Sequence, residues 1–268
     1  MGEPSLELHG DDVHARLLPG RGTNGGFSLV IDGTTQSHVN PDDPLDLQLE
    51  YVREIAGVLD AWHPRPEPIS VLHLGAGALT LPRWIAATRP GSRQHVVELL
   101  PELFDFVLQA LPLGDDVELT VEFDDARAAV DRAARHDGGY DVAIVDVFSG
   151  NVAPPAVGTV EFFAALRDLL APHAIVVVNS LAGFDLASPR TLAATLAVGG
   201  DELTLVAASG VLDGGPGNVV LVSSPGPAPL AALTAAFSGS PRPIEVLTRD
   251  SVEAFAGDVP ARFDGMPG

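Results

Sequence analysis

"VLHLGAGALTLPR", Val71 to Arg83, is the stretch whose reading decides the fold. It begins as an apolar run, turns on two glycines and continues as a helix start. A strand, a glycine turn and a helix N-terminus in that order open a nucleotide-binding α/β sheet. Glycines let the backbone approach a ligand, and a helix N-terminus presents N–H groups to it. The loop is neither of the common phosphate-binding kinds. Thr80 stands at the sixth position of a would-be G-x-G-x-x-G, and no Gly-Lys-Ser/Thr follows. Nor does it hold an acid, a Lys, or a Ser before Thr80.

Working outward, mostly apolar runs alternate with helical stretches. The runs are "ISVLHL", "RQHVVEL", "VELTVEF", "YDVAIVDVF", "AIVVVNS", "LTLVAAS" and "NVVLVSS". Near-continuous Val/Ile/Leu runs suit parallel strands buried on both faces, and the alternation predicts a Rossmann-like, doubly wound α/β sheet of seven strands. "GVLDGGPG" joins the last two runs without a helix, so one antiparallel strand is expected at the sheet edge. The tail from Pro225 is Pro/Ala-rich, with two weak helices near Leu230–Phe237 and Ser251–Phe255.

The first 40 residues read differently. "SLELHG", "DVHARLLPG", "FSLVIDG" and "TTQSHV" are short β segments, with "IDG" as a hairpin turn. Apolar spacing from Leu45 to Leu59 predicts an amphipathic helix, with Asp43 as its cap and Pro44 at its first position. "HPRPEP" is a stiff linker. The expected division is an N-terminal β-hairpin domain over 1–43 and a Rossmann-like domain with its leading helix over 44–268.

Composition bounds the function. The chain has 268 residues, 46% apolar, with 36 acidic and 15 basic residues for a net charge of −21. That balance is poor for gripping phosphate backbones, so nucleic acid is not the expected partner. It suits a solvated acidic surface, or a mouth that attracts a cation. The absence of cysteine excludes disulfides, thiolate metal sites and a thiol nucleophile. "MGEPSLELHG" lacks the charge and apolar pattern of a signal peptide, and no apolar run approaches 18 residues. A cytoplasmic protein with no membrane association is the expectation.

Acids follow three strands where a ligand would lie. Glu98 ends "RQHVVE" about 20 residues past the loop, the place for a carboxylate that holds ribose hydroxyls. Asp124 and Asp125 follow the third strand, where one can cap the next helix and the other accept from an exocyclic amine. Asp146 ends the apolar run of the fourth strand, which does not need it. "FSGNVAPPAVG" after it reads as a lid or substrate wall. The histidines show no metal-ligand spacing, and His73, inside a strand, reads as a core residue.

These features in this order resemble the spermidine synthase (aminopropyltransferase) family of Rossmann-like S-adenosylmethionine-dependent transferases. "IDGTTQS" resembles its N-terminal hairpin ending in Gln, and "VLHLGAGALTLPRW" its glycine loop. "VVELLPEL" resembles its ribose-acid strand, "FDDARAAV" its adenine segment, and "YDVAIVDVFSG" its Asp-x-x-Asp loop. The resemblance implies S-adenosylmethionine or its decarboxylated form as co-substrate, no metal, a small-molecule amine acceptor and a homodimer. It implies Gln36 near the co-substrate's tail, Gly75 and Gly77 in the loop, Glu98 on the ribose, Asp125 on the adenine, and Asp146 as the first acid of the catalytic pair, which takes the amine's proton or orients the amine. Three positions depart from the pattern. Ala78 stands where the family's loop has Asp, Ser149 replaces the second acid, and Gln48 replaces a Tyr before Glu50. Each lost charged hydrogen bond forfeits about 1.5–3 kcal/mol. Two losses weaken a polyamine roughly a hundredfold or more. Methyl transfer on the same fold, and a non-catalytic nucleoside- or partner-binding protein, are the alternatives these departures raise.

Overall fold

The computed structural model describes residues 5–8, 13–20, 25–133, 139–148 and 152–266. Strands β1 (Ser5–Leu8), β2 (Val13–Pro19), β3 (Phe27–Ile31) and β4 (Thr34–Val39) form an antiparallel sheet in sequential order. Asp32 and Gly33 both take positive φ, 47° and 80°, which is the turn whose twist matches a two-residue hairpin.

The rest of the chain builds an eight-stranded sheet among the described residues. After helix α1 (Glu50–Trp62) come β5 (Ser70–Leu74), α2 (Thr80–Thr88), β6 (Arg93–Glu98), α3 (Pro101–Ala110), β7 (Leu119–Phe123), α4 (Ala126–Arg132) and β8 (Tyr140–Val145). Then follow α5 (Val160–Asp168), β9 (Leu170–Ala182), α6 (Ala187–Ala197), β10 (Glu202–Ala208), α7 (Ser209–Leu212), β11 (Gly217–Ser224), α8 (Leu230–Phe237), β12 (Ile244–Thr248) and α9 (Asp250–Ala256). The strand order is β12-β10-β11-β9-β8-β5-β6-β7. The chain runs outward from β5 to β7, then returns to lay β8 on β5's other side. The β5/β8 boundary is therefore the switch point where open sheets place ligands.

Both sheet faces are covered, which is why β5 is buried throughout. Leu72, Leu74, Val145 and Val178 pack with α4, α5 and α6 on one face. Val71, Ile144 and Val177 pack with α1, α2 and α8 on the other. The small sheet has its own shared core: Ala15, Leu17, Leu29 and Val39 pack with Ala78 of the glycine loop and with Leu103 and Val107 of α3. That core seats β4 against the loop.

The doubly wound sheet with a small β unit is the fold class expected from the sequence, with three corrections. The sheet has an eighth strand, because "IEVLT" in the tail pairs antiparallel with β10 as β12. The antiparallel strand β11 is not at the edge. It is inserted between β9 and β10 and pairs with both, and its connector from β10 contains the single turn α7. Finally, the leading helix starts at Glu50, not at Pro44. The Asp43 carboxylate accepts the Leu45 N–H (3.1 Å) in a local turn, and Arg53 Nη1 donates to the carbonyls of Leu47 and Gln48 at 2.8 and 2.6 Å. Side-chain bonds of this kind compete with helix. Among the described residues, no helix is long and apolar enough to cross a membrane.

Candidate active site

The site is assembled by ladder bonds that continue past the strand ends. Gly75 N–H donates to the Val97 carbonyl (2.9 Å), and Asp146 N–H to the Leu74 carbonyl (3.0 Å). Loop, β6 end and β8 end are thereby fixed side by side. Gly75 takes φ 96°, and a Cβ there would lie 2.3 Å from the Asp146 carbonyl oxygen. Gly77 takes φ 52°, and a Cβ there would lie 2.5 Å from Ser37 Oγ of β4. The two glycines let β8 and β4 close onto the loop from opposite sides.

The loop's own N–H groups are largely engaged within the protein. Ala76 N–H donates to Glu98 Oε2 (3.0 Å), Ala78 N–H to Ser37 Oγ (3.2 Å) and Leu79 N–H to the Ala76 carbonyl (2.9 Å). Thr80 Oγ1 donates to the His38 carbonyl (2.9 Å). A phosphate-binding loop needs those donors turned outward. This loop instead holds a carboxylate at its shoulder: Glu98 also accepts Leu100 N–H through Oε1 (2.9 Å). Beside it Leu99 is 60% exposed, an apolar side chain left open at the loop's mouth.

Asp146 is half-buried in a polar pocket. Asn179 Nδ2 donates to its Oδ1 at 2.7 Å, and Tyr51 of α1 hydrogen-bonds it from another direction. The Tyr51 hydroxyl also meets the Gln36 carbonyl at 3.1 Å. Burial pushes the Asp146 carboxyl above its ordinary range, and the two hydrogen bonds work against that rise. Burial, then the Asp146 charge, pushes the Tyr51 phenol well above its ordinary value. A Tyr that stays protonated is a steady donor to a carboxylate.

Gly75, Gly77, Glu98, Asp146 and the Gln36 backbone thus converge on one region of the sheet's C-terminal edge. Asp125 is exposed and caps α4, its Oδ1 accepting Ala128 N–H at 3.0 Å. Asp124 pairs with Arg132, which holds its carboxyl below the usual range. Ala78 is fully buried in the apolar core shared with the small sheet. Ser149, and the part of the lid loop at 149–151, lie outside the described residues. His73 is a core residue, bonded to Gln94 Oε1 at 3.0 Å and lowered by burial to about 4. Among the described residues, no group of three or more His, Asp or Glu could hold a metal ion.

Sequence reasoning missed Tyr51 and Asn179. Asn179 was findable as the polar residue closing the apolar run "AIVVV". Tyr51 had one faint signal, being one of two tyrosines in the chain.

A small antiparallel sheet leading into a switch-point site of this kind defines the class: the Rossmann-like methyltransferase fold with an N-terminal β unit. No family model matches the chain. It is 30% identical over 141 residues to the polyamine aminopropyltransferase of Vibrio vulnificus, covering 52% of this chain and 46% of that one. It is 32% identical over 152 residues to the polyamine aminopropyltransferase of Neisseria meningitidis serogroup A, covering 56% of each. The chain spans about half the length of the curated relatives it matches. A probable spermidine synthase from Corynebacterium glutamicum superposes with a TM-score of 0.87 at 28% identity, over 99% of this chain and 97% of that one. A spermidine synthase in complex with the transition-state analogue AdoDATO shares the fold, with a TM-score of 0.59 at 14% identity over 94% and 82% of the two chains. The chain is thus similar to polyamine aminopropyltransferases over about half its length and to the probable spermidine synthase over nearly all of it.

Proposed function

We propose that this protein binds S-adenosylmethionine or its decarboxylated form and transfers an alkyl group from it to an amine. The observation that carries the reading is the placement of Asp146. Its backbone abuts Gly75, and its carboxylate is held by Tyr51 and Asn179 beside a loop whose N–H groups are turned inward. A loop with its donors engaged suits a nucleoside without phosphates better than a dinucleotide. The donor set fits such a nucleoside. Glu98 stands at the loop's shoulder to accept ribose hydroxyls, exposed Leu99 offers a face to the base, and Asp125 has an exposed carboxylate nearby in sequence to Phe123.

When bound, the adenosyl sulfonium supplies an electrophilic carbon beside the sulfur. Asp146 would orient the acceptor amine and take its proton, and the upward push on its carboxyl helps it hold that proton. Tyr51 has two acceptors for one O–H. It donates to Asp146 while that group is ionised, and turns to the Gln36 carbonyl when Asp146 gains a proton. Methyl transfer is the second reading, favoured by one feature: Ala78 is buried in apolar core, so the loop offers no carboxylate for an aminopropyl ammonium. Incubation with decarboxylated S-adenosylmethionine and putrescine tests the first reading. Methylthioadenosine release that disappears in Asp146→Asn supports it. S-adenosylhomocysteine release from S-adenosylmethionine supports the second, and neither product would sink both. A homodimer and a cytoplasmic location belong to the same proposal.

A further inference from the structure

The inserted antiparallel strand brings a residue to this site that the parallel strands could not. β11 runs opposite to its neighbours, so its first residues lie at the edge where β8 and β9 end. Val220 pairs with Asn179, which sets Asn218 on the same face, diagonal to it. Asn218 Nδ2 donates to Asn179 Oδ1 at 2.9 Å, and Asn179 Nδ2 donates to Asp146 Oδ1 at 2.7 Å. Asn179 is 5% exposed, so neither end of its amide has ready access to water.

A primary amide has an acceptor end and a donor end of nearly the same shape, and a half-turn about its last bond exchanges them. Asn218 restrains that freedom. With its own NH2 end turned to Asn179, it donates only to the oxygen end of that amide, which leaves the Asn179 NH2 end facing Asp146. A donor facing a carboxylate favours the ionised, proton-accepting form. With the amide reversed, an oxygen would face Asp146, an arrangement that suits only the protonated acid.

We propose that Asn218 is a positioning residue: acting through Asn179, it keeps Asp146 ready as a proton acceptor. The claim rests on the reading of Asp146 as the acid–base group. Among the described residues, the other groups shown against Asp146 are the Tyr51 phenol from α1, which titrates, and the Gly75 backbone from the loop, which does not.

The test is a double-mutant cycle read on Asp146 itself. Full-length protein is labelled with 13C at aspartate carboxyls, and the Asp146 signal is assigned by its loss in Asp146→Asn. Asn218→Ala is expected to raise the Asp146 titration midpoint by about half a unit or more, the size of one charged hydrogen bond weakened but not abolished. In the Asn179→Ala background the same substitution is expected to shift it by less than about 0.2 units, since the connecting amide is gone. Should Asn218→Ala fail to fold, Asn218→Ser keeps a donor of shorter reach and gives a smaller shift of the same sign. No shift with Asn179 present, or equal shifts in both backgrounds, would overturn the proposal. Calorimetry with methylthioadenosine on the same samples separates the two claims. A coupled shift without nucleoside binding upholds Asn218's role and fails the functional reading, and binding without a coupled shift does the reverse.

Discussion

Glu54 carries a stability cost that pH should expose. It lies on α1, 4% exposed, and its Oε2 has no hydrogen-bond partner among the described residues. Burial, then repulsion from Glu50, raises its carboxyl from 4.5 to about 8. The folded state therefore keeps a proton that the unfolded chain releases. Stability should fall as pH rises from about 4.5 to about 8 and level off above that. Each unit of difference is about 1.36 kcal/mol, so the cost is on the order of 3 kcal/mol at pH 7 and approaches about 5 kcal/mol above pH 8. Glu54→Gln imitates the protonated acid and should remove that cost. At pH 4, where the acid is neutral in both states, the variant should match the wild type. At pH 7 it should melt roughly 6–12 °C higher, taking about 2–4 °C per kcal/mol for a chain of this size. Thermal melts of both proteins at pH 4, 7 and 8.5 provide the measurement. The general effect of the −21 charge is common to both and cancels in the difference. A melting difference that does not change with pH would refute the reasoning, as would a wild type more stable than the variant at pH 8.5.

Two further outcomes follow from the site. Ser37→Ala leaves the buried Ala78 N–H without its acceptor and should cost about 1–3 kcal/mol. In that background Gly77→Ala should be less harmful than in the wild type, because its closest clash is with Ser37 Oγ, and a denaturant-melt cycle reads the coupling. Asp125→Ala should lose about 1 kcal/mol with the α4 cap, whereas Asp125→Ser should restore stability but not nucleoside affinity, as melts and calorimetry on the two variants would show.

The parts of this molecule legible in its sequence are those fixed by local pattern. Doubly buried strands announce themselves as Val/Ile/Leu runs, and the turn at Gly75–Gly77 and the acids at Glu98 and Asp146 sit at predictable strand ends. What pattern hides is lateral order. Hairpin connectivity made β11 look like an edge strand, because nothing in "GVLDGGPG" says that the strand tucks between β9 and β10. Asn218 was invisible as a site residue for the same reason: only that insertion carries it to Asn179. Tyr51 and Asp146 are far apart in sequence and belong to different elements, so no spacing rule connects them. Ala78 was readable as a missing acid, but not as a residue of the core under the small sheet. Asp43 misled because the same side chain that caps helices also closes local turns.

We propose that the Gly75–Gly77 loop, Glu98 and Asp146 form a site for an adenosyl sulfonium. Calorimetric titration with S-adenosylmethionine, its decarboxylated form and methylthioadenosine tests it most directly, in the wild type and in Glu98→Ala. The wild type should bind at least one of the three saturably, and Glu98→Ala should weaken that binding about tenfold or more as charged hydrogen bonds are lost. No binding of any of the three, or binding indifferent to Glu98, would contradict it.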